Sequence, residues 1–223
     1  MKKRNSKNII CGLACIVGFV VWTFAVQIID VKPIGVNGTD IGFSTVNSWF
    51  HSLTGVNMTL YTITDWLGLV PVFACVVFAL VGLAQLIKRR SILKVDFDII
   101  LLGVYYVVVI FGYVVFEMIP INYRPILING IMEASYPSST TLLVLSVMPT
   151  VVLQSRKRVK NDIIKRIITI VTILFSLFMV VGRLISGVHW FTDIIGAIIL
   201  SAGVFLIYKG GVTIWNSTKS FRN

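Results

Sequence analysis

The sequence predicts an all-α membrane protein of six transmembrane helices in one bundle, with both termini cytoplasmic and a short interfacial helix in the first outer loop. Three observations predict it. Mean hydropathy is +0.91, with 57% hydrophobic and 13% charged residues. Several apolar runs approach the ~20 residues a helix needs to cross a hydrocarbon core, and they are continuous rather than alternating, which selects helices over a barrel. Finally, seventeen of the twenty Lys and Arg residues fall at the termini or in alternate loops, the bias that marks cytoplasmic segments.

The elements follow in order. Residues 9–29 form the first span, behind Lys2, Lys3, Arg4 and Lys7; the run exceeds a secretory signal core and no small-x-small cleavage site follows it. Residues 30–65 are too many for a plain connection. Within them Val46, Trp49, Phe50 and Leu53 take the i, i+3, i+4, i+7 spacing of an amphipathic helix, with Ser44 or Thr45 placed to cap it. Such a helix lies in the outer interface or packs over the bundle as a lid, and His51 falls on its other face as a solvated loop histidine. Residues 66–87 make the second span, leading to Lys88, Arg89, Arg90 and Lys94, and residues 99–119 the third. The fourth (138–153) and sixth (193–208) are short and start in a polar mouth. The fifth, 167–185, follows six cations between Arg156 and Arg166.

The net charge of +11 therefore reads as topology and contact with anionic lipid, not as a nucleic-acid surface. Cys11, Cys15 and Cys75 lie within spans and suggest neither a disulfide framework nor a metal cluster. No repeat or linker divides the chain, so residues 1–223 are expected to be one domain. Nothing in the sequence indicates an oligomeric state.

Two of the three remaining cations, Arg124 and Arg183, stand on the outer side against the rule, in adjacent loops. Ionisable groups at a membrane mouth mark function by default. Arg124, in Asn122-Tyr-Arg-Pro125, is a planar fork suited to phosphate oxygens, or an interfacial arginine reaching for headgroups. In Tyr136-Pro-Ser-Ser-Thr140, Pro137 opens a helix whose first turn carries the hydroxyls of Ser138 and Ser139 beside unpaired N–H groups, an anion site in waiting. In Gly182-Arg-Leu-Ile-Ser-Gly-Val-His-Trp-Phe-Thr-Asp193, His189 and Asp193 stand one turn apart. The carboxylate can then accept a hydrogen bond from one imidazole nitrogen and leave the other free to attack. Together these describe a phosphate site with a nucleophile in it and no required metal or cofactor.

At these residues the chain resembles the type 2 phosphatidic acid phosphatase family, which shares its core with vanadium haloperoxidases. That family reads Lys, six residues, Arg-Pro; then Pro-Ser-Gly-His; then Ser-Arg, five residues, His, three residues, Asp. Arg124-Pro125, Pro137-Ser138, Arg183, His189 and Asp193 match in order and spacing. The resemblance implies a lipid phosphatase with a phosphohistidine intermediate. His189 would be its nucleophile, Asp193 the orienting partner, and Arg124, Arg183, Ser138, Ser139, Thr140 and main-chain N–H groups the phosphate cradle.

Four positions depart. Glu117 replaces the lysine, Ser139 the glycine, Gly182 the serine and Thr140 the second histidine. The family's second histidine protonates the leaving group, and threonine cannot. A diphosphate such as undecaprenyl diphosphate, which leaves as phosphate, needs that acid least; otherwise Glu133, Tyr136 or His51 supplies the proton. The alternatives are a non-catalytic binder or transporter of lipid phosphates, and a lipid phosphotransferase. The compact chain without an organelle address leads to the expectation of a bacterial plasma membrane, with the site extracytoplasmic.

Overall fold

The computed structural model describes the backbone of residues 2–220 and the side chains of residues 7–217. The side chains of Lys2, Lys3, Arg4, Lys219 and Arg222, part of the charge argument, lie outside that range. Among the described residues there are eight α-helices: α1 (Lys2–Ile28), α2 (Ser44–Thr54), α3 (Met58–Leu67), α4 (Leu69–Arg89), α5 (Phe97–Met118), α6 (Ser139–Arg158), α7 (Asp162–Ile185) and α8 (Phe191–Ser220). Isolated β-bridges, Lys32 to Ile41, Tyr123 to Ala134 and Ile128 to Ile131, fasten two of the loops.

Five helical segments are long and apolar enough to cross a membrane: Lys7–Ile28, Met58–Arg89, Phe97–Met118, Asp162–Ile185 and Phe191–Ser217. The missing sixth is α6. It packs against α4, α5, α7 and α8 and buries Thr141, Ser146, Thr150, Gln154 and Ser155, so it presents little surface to lipid and can carry polar residues. Ser146, Thr150 and Gln154 join the bundle by hydrogen bonds between helices. Tyr105 Oη donates to the Ser146 carbonyl at 2.9 Å, Tyr106 Oη meets Thr150 Oγ1 at 2.7 Å, and Gln154 Nε2 donates to Tyr208 Oη at 2.9 Å. Around them Ile99, Leu102, Val109, Val147 and Tyr208 form the largest buried cluster.

Helices α1 and α8 make the most extensive pairing. A Cβ at Gly12 would lie 2.7 Å from Ile207 Cγ1, and one at Gly203 2.8 Å from Ile16 Cδ1; small residues let the two backbones approach. Far from being short, α8 continues well past residue 208, with Trp215 stacked on Phe97 at 4.0 Å between ring centroids.

The first outer loop differs from expectation in three ways. The helix predicted around Trp49 is present, but its cap is not a hydroxyl of Ser44 or Thr45: Asp30 Oδ2 accepts the Thr45 N–H at 2.7 Å. Val46, Trp49 and Leu53 are exposed, in keeping with the interfacial reading, while Ser44 and Asn47 are buried and the Phe50 ring lies 5.3 Å from that of Phe191. There Asn47 Nδ2 donates to Thr192 Oγ1 at 3.0 Å while the Thr192 N–H donates to Asn47 Oδ1 at 3.2 Å. His51 is not solvated; its ring lies on Trp190 with centroids 5.7 Å apart, and its Nε2 is buried. Lastly, residues 58–65, read as loop, are helical and belong to α3, which ends at Leu67. Asn57 caps them by accepting the Leu60 N–H at 2.9 Å, and α3 runs into α4 with only Gly68 between them.

Candidate active site

The end of the bundle that holds the α5–α6 and α7–α8 connections gathers Arg124, Arg183, Asp65 and Glu133. Arg183, in the last turn of α7, is 1% exposed; Arg124, in the α5–α6 connection, is 8% exposed. Both guanidinium groups flank the Tyr61 ring of α3, with Cζ 4.9 Å (Arg183) and 5.6 Å (Arg124) from its centroid, in cation–π range. Each meets one carboxylate. Arg124 Nε lies 3.1 Å from Glu133 Oε2 and Arg183 Nη1 3.5 Å from Asp65 Oδ1. Neither contact is aligned as a hydrogen bond, and Nε and Nη1 of both arginines are buried without one.

His189 sits between α7 and α8 and is 3% exposed. The chain reaches it through Gly187, whose φ of +69° suits glycine; a Cβ there would strike the Gly55 carbonyl at 1.9 Å. Nδ1 lies 3.2 Å from the Ser135 carbonyl oxygen. A carbonyl only accepts, so Nδ1 carries the proton and Nε2 keeps its lone pair. Nε2 is buried and has no hydrogen-bond partner in the chain. Burial first, then the positive fields of Arg124 and Arg183, hold the imidazole well below the usual histidine range, so it is neutral at neutral pH.

Asp193 is not the hydrogen-bond partner that the one-turn spacing suggested. Its Oδ2 stands 3.7 Å from His189 Nδ1 and accepts the Trp190 N–H at 2.9 Å, while Oδ1 accepts from Asn122 Nδ2 at 3.2 Å. The physical reason is that α8 starts at Phe191, so Asp193 caps its own first turn and His189 lies before the helix. The carboxylate fixes the loop that carries the imidazole, and the Ser135 carbonyl orients the ring.

The hydroxyls of the second segment divide. Ser138 is fully buried, donates Oγ–H to Thr141 Oγ1 at 3.1 Å, and gives its N–H to the Asp193 carbonyl at 3.2 Å. It locks α6 to α8 rather than facing a ligand. Ser139 and Thr140 are half-buried and line a groove of about 470 Å³ with Asp65, Leu69, Val72, Tyr113 and Leu143. Glu117 borders a separate small pocket with Phe116 and Tyr136. The Tyr136 hydroxyl is paired with Thr23 Oγ1 at 2.8 Å.

Tyr61, Asp65, Asn122 and Ser135 are parts of this arrangement that sequence reasoning did not single out. The first two ride on α3, whose only sequence signal was the Asn57 cap. The other two act within an irregular connection, Ser135 through its carbonyl, which no side-chain pattern reports. Two buried guanidinium groups and an imidazole lone pair, all short of partners, make a site for an oxyanion with a nucleophile at hand.

A sequence profile of the PAP2 superfamily matches residues 100–216, more than half of the chain. No curated protein matches by sequence. Among solved structures the chain is similar to one described as the first transmembrane PAP2 type phosphatidylglycerolphosphate phosphatase from Bacillus subtilis. The TM-score is 0.64 at 16% identity, over 91% of this chain and 96% of that one.

Proposed function

From the premise that this chain belongs to the PAP2 superfamily, we propose that it is a membrane lipid phosphatase that hydrolyses a lipid phosphate or a polyprenyl diphosphate at the outer leaflet. In this reading, one domain crosses the membrane six times, α6 included, with both termini in the cytoplasm. The observation that carries the proposal is the set of buried nitrogens without hydrogen bonds: Nε and Nη1 of Arg124 and Arg183, and Nε2 of His189. Buried guanidinium donors without hydrogen bonds are costly; phosphoryl oxygens satisfy them and bring phosphorus before the His189 lone pair.

The two arginines hold the phosphoryl oxygens, joined by first-turn N–H groups of α6 beside Ser139 and Thr140. His189 Nε2 attacks phosphorus and the bond to the leaving oxygen breaks. The positive charge that develops on the ring is met by the Ser135 carbonyl at 3.2 Å and the Asp193 carboxylate at 3.7 Å. Water then attacks the phosphohistidine, releases phosphate and restores the imidazole. The apolar groove lined by Leu69, Val72 and Leu143 accepts the first carbons of the lipid tail.

Phosphate release by the purified protein in detergent, across lipid monophosphates and diphosphates, tests this. Wild type should turn over at least one class, and His189→Ala should lose roughly 10³-fold or more. Undiminished release by that variant refutes the nucleophile. Thr140 at the position of the family's second histidine favours a second reading, a lipid-phosphate binder, and absence of any turnover in the wild type would select it. An added lipid alcohol that diverts phosphate from water would identify a phosphotransferase.

A further inference from the structure

Protonation of the leaving oxygen is the step that Thr140 leaves open, and the fold brings a carboxyl group to that position from an element outside the matched motifs. The departure at Gly182 is what admits it. A Cβ on Gly182 would lie 2.8 Å from Thr64 Cγ2, so a serine there would push α3 away from α7. With glycine, α3 lies close enough for Asp65, the next residue, to put Oδ1 3.5 Å from Arg183 Nη1. The neighbouring backbone position, Gly68, faces Thr140: a Cβ built there would be 3.6 Å from Thr140 Cγ2.

Resting on the phosphatase reading above, we propose that Asp65 is the catalytic acid that protonates the leaving oxygen in place of a histidine at position 140. The Asp65 carboxyl meets Arg183 from α7, and Asp65 shares the lining of the groove with Tyr113 from α5 and Ser139 and Thr140 from α6. Of the acids at this end, Asp65 is the one that borders the groove where the leaving group departs. Glu133 is held at Arg124, Glu117 borders the other pocket, the Tyr136 hydroxyl is bonded to Thr23, and His51 lies on Trp190. The Asp65 side chain is 56% exposed, unlike the buried Arg183 that it meets.

The exchange of partners supplies the chemistry. When a phosphoryl group arriving as its monoanion takes Arg183, its own proton bridges a phosphoryl oxygen and the Asp65 carboxylate. As the His189 Nε2–P bond forms and the P–O bond breaks, this proton passes to the leaving oxygen, giving the lipid alcohol and the Asp65 carboxylate. In the second step the carboxylate takes a proton from the attacking water as the N–P bond breaks and passes it to the departing phosphate, so both groups return to their starting states.

The test is leaving-group dependence. Wild type, Asp65→Asn and Asp65→Glu are compared on two phosphate monoesters with equal alkyl tails, one releasing an alkoxide and one a nitrophenolate, which departs without a proton. Asp65→Asn should lose about 10²-fold or more on the alkyl ester, and this loss should exceed its loss on the nitrophenyl ester by at least about 30-fold. Asp65→Glu should recover part of the alkyl activity. Equal losses on the two esters would mean that Asp65 only positions Arg183, and no loss on either would remove it from the reaction; both overturn the proposal. A wild type inert on both esters and on every lipid phosphate overturns the phosphatase reading and this acid with it, an outcome distinct from the first two.

Discussion

In the proposed reaction His189 owes its reactivity to where it is kept. With its imidazole held well below the usual range by burial first and by Arg124 and Arg183 next, the free nitrogen stays unprotonated as the medium turns acidic. The acid limb of kcat/KM should therefore fall below the ~6.5 of a solvent-exposed histidine. Arg124→Gln removes one of the causes, and a pH profile of that variant should show the limb moved upward while burial keeps part of the shift. The same depression means that the unfolded chain binds this proton more tightly than the folded one. Its contribution to stability is whole above the unfolded pKa and declines as pH falls below it. Arg124→Lys tests the fork itself: an ammonium cannot bridge two oxygens, and kcat/KM should drop about 10- to 100-fold in steady-state assays. The motif residues were legible in sequence because their spacing is local. Their partners were not: the His189 proton goes to a main-chain oxygen of Ser135, 54 residues away in sequence, and Tyr61 meets both arginines only after folding.

At the scale of elements, the contact between α3 and α7 decides the composition of the site. Gly182→Ser, which restores the residue the family carries, should destabilise the protein by about 1–3 kcal/mol through the clash with Thr64 and weaken turnover by displacing Tyr61 and Asp65. Thr64→Ala in the same chain should relieve most of that, so thermal melts of the two single variants and the double variant should be strongly non-additive. Asn47 plays a comparable part for α2. Replacing it with alanine strips Thr192 of both amide bonds, which should cost about 1–3 kcal/mol and loosen α2 in hydrogen-exchange measurements. Five of the helical segments were readable as apolar runs. The start of α3 was not, because a hydropathy window registers where lipid begins rather than where hydrogen bonding begins, and α6 was legible only as a short span with a polar start, because its shielding by neighbouring helices is tertiary.

For the molecule as a whole, charge and geometry agree in direction. Asp98 pairs with Lys157 and with Arg158 at 3.0 Å, and Asp96 pairs with Arg89 at 2.8 Å, all at the end opposite His189. Cysteine labelling tests the topology. In a background lacking Cys11, Cys15 and Cys75, Ser52→Cys should react with an impermeant maleimide on intact cells, and Ser91→Cys only after permeabilisation. Between the two ends lies the buried cluster around Leu102, Val147 and Tyr208, cross-tied by the tyrosine and threonine hydroxyls. That plug has an electrical consequence. In the proposed reaction, phosphate set free above it returns to the compartment it came from, so each cycle would be electroneutral across the bilayer, and the rate in sealed proteoliposomes should not respond to an imposed voltage.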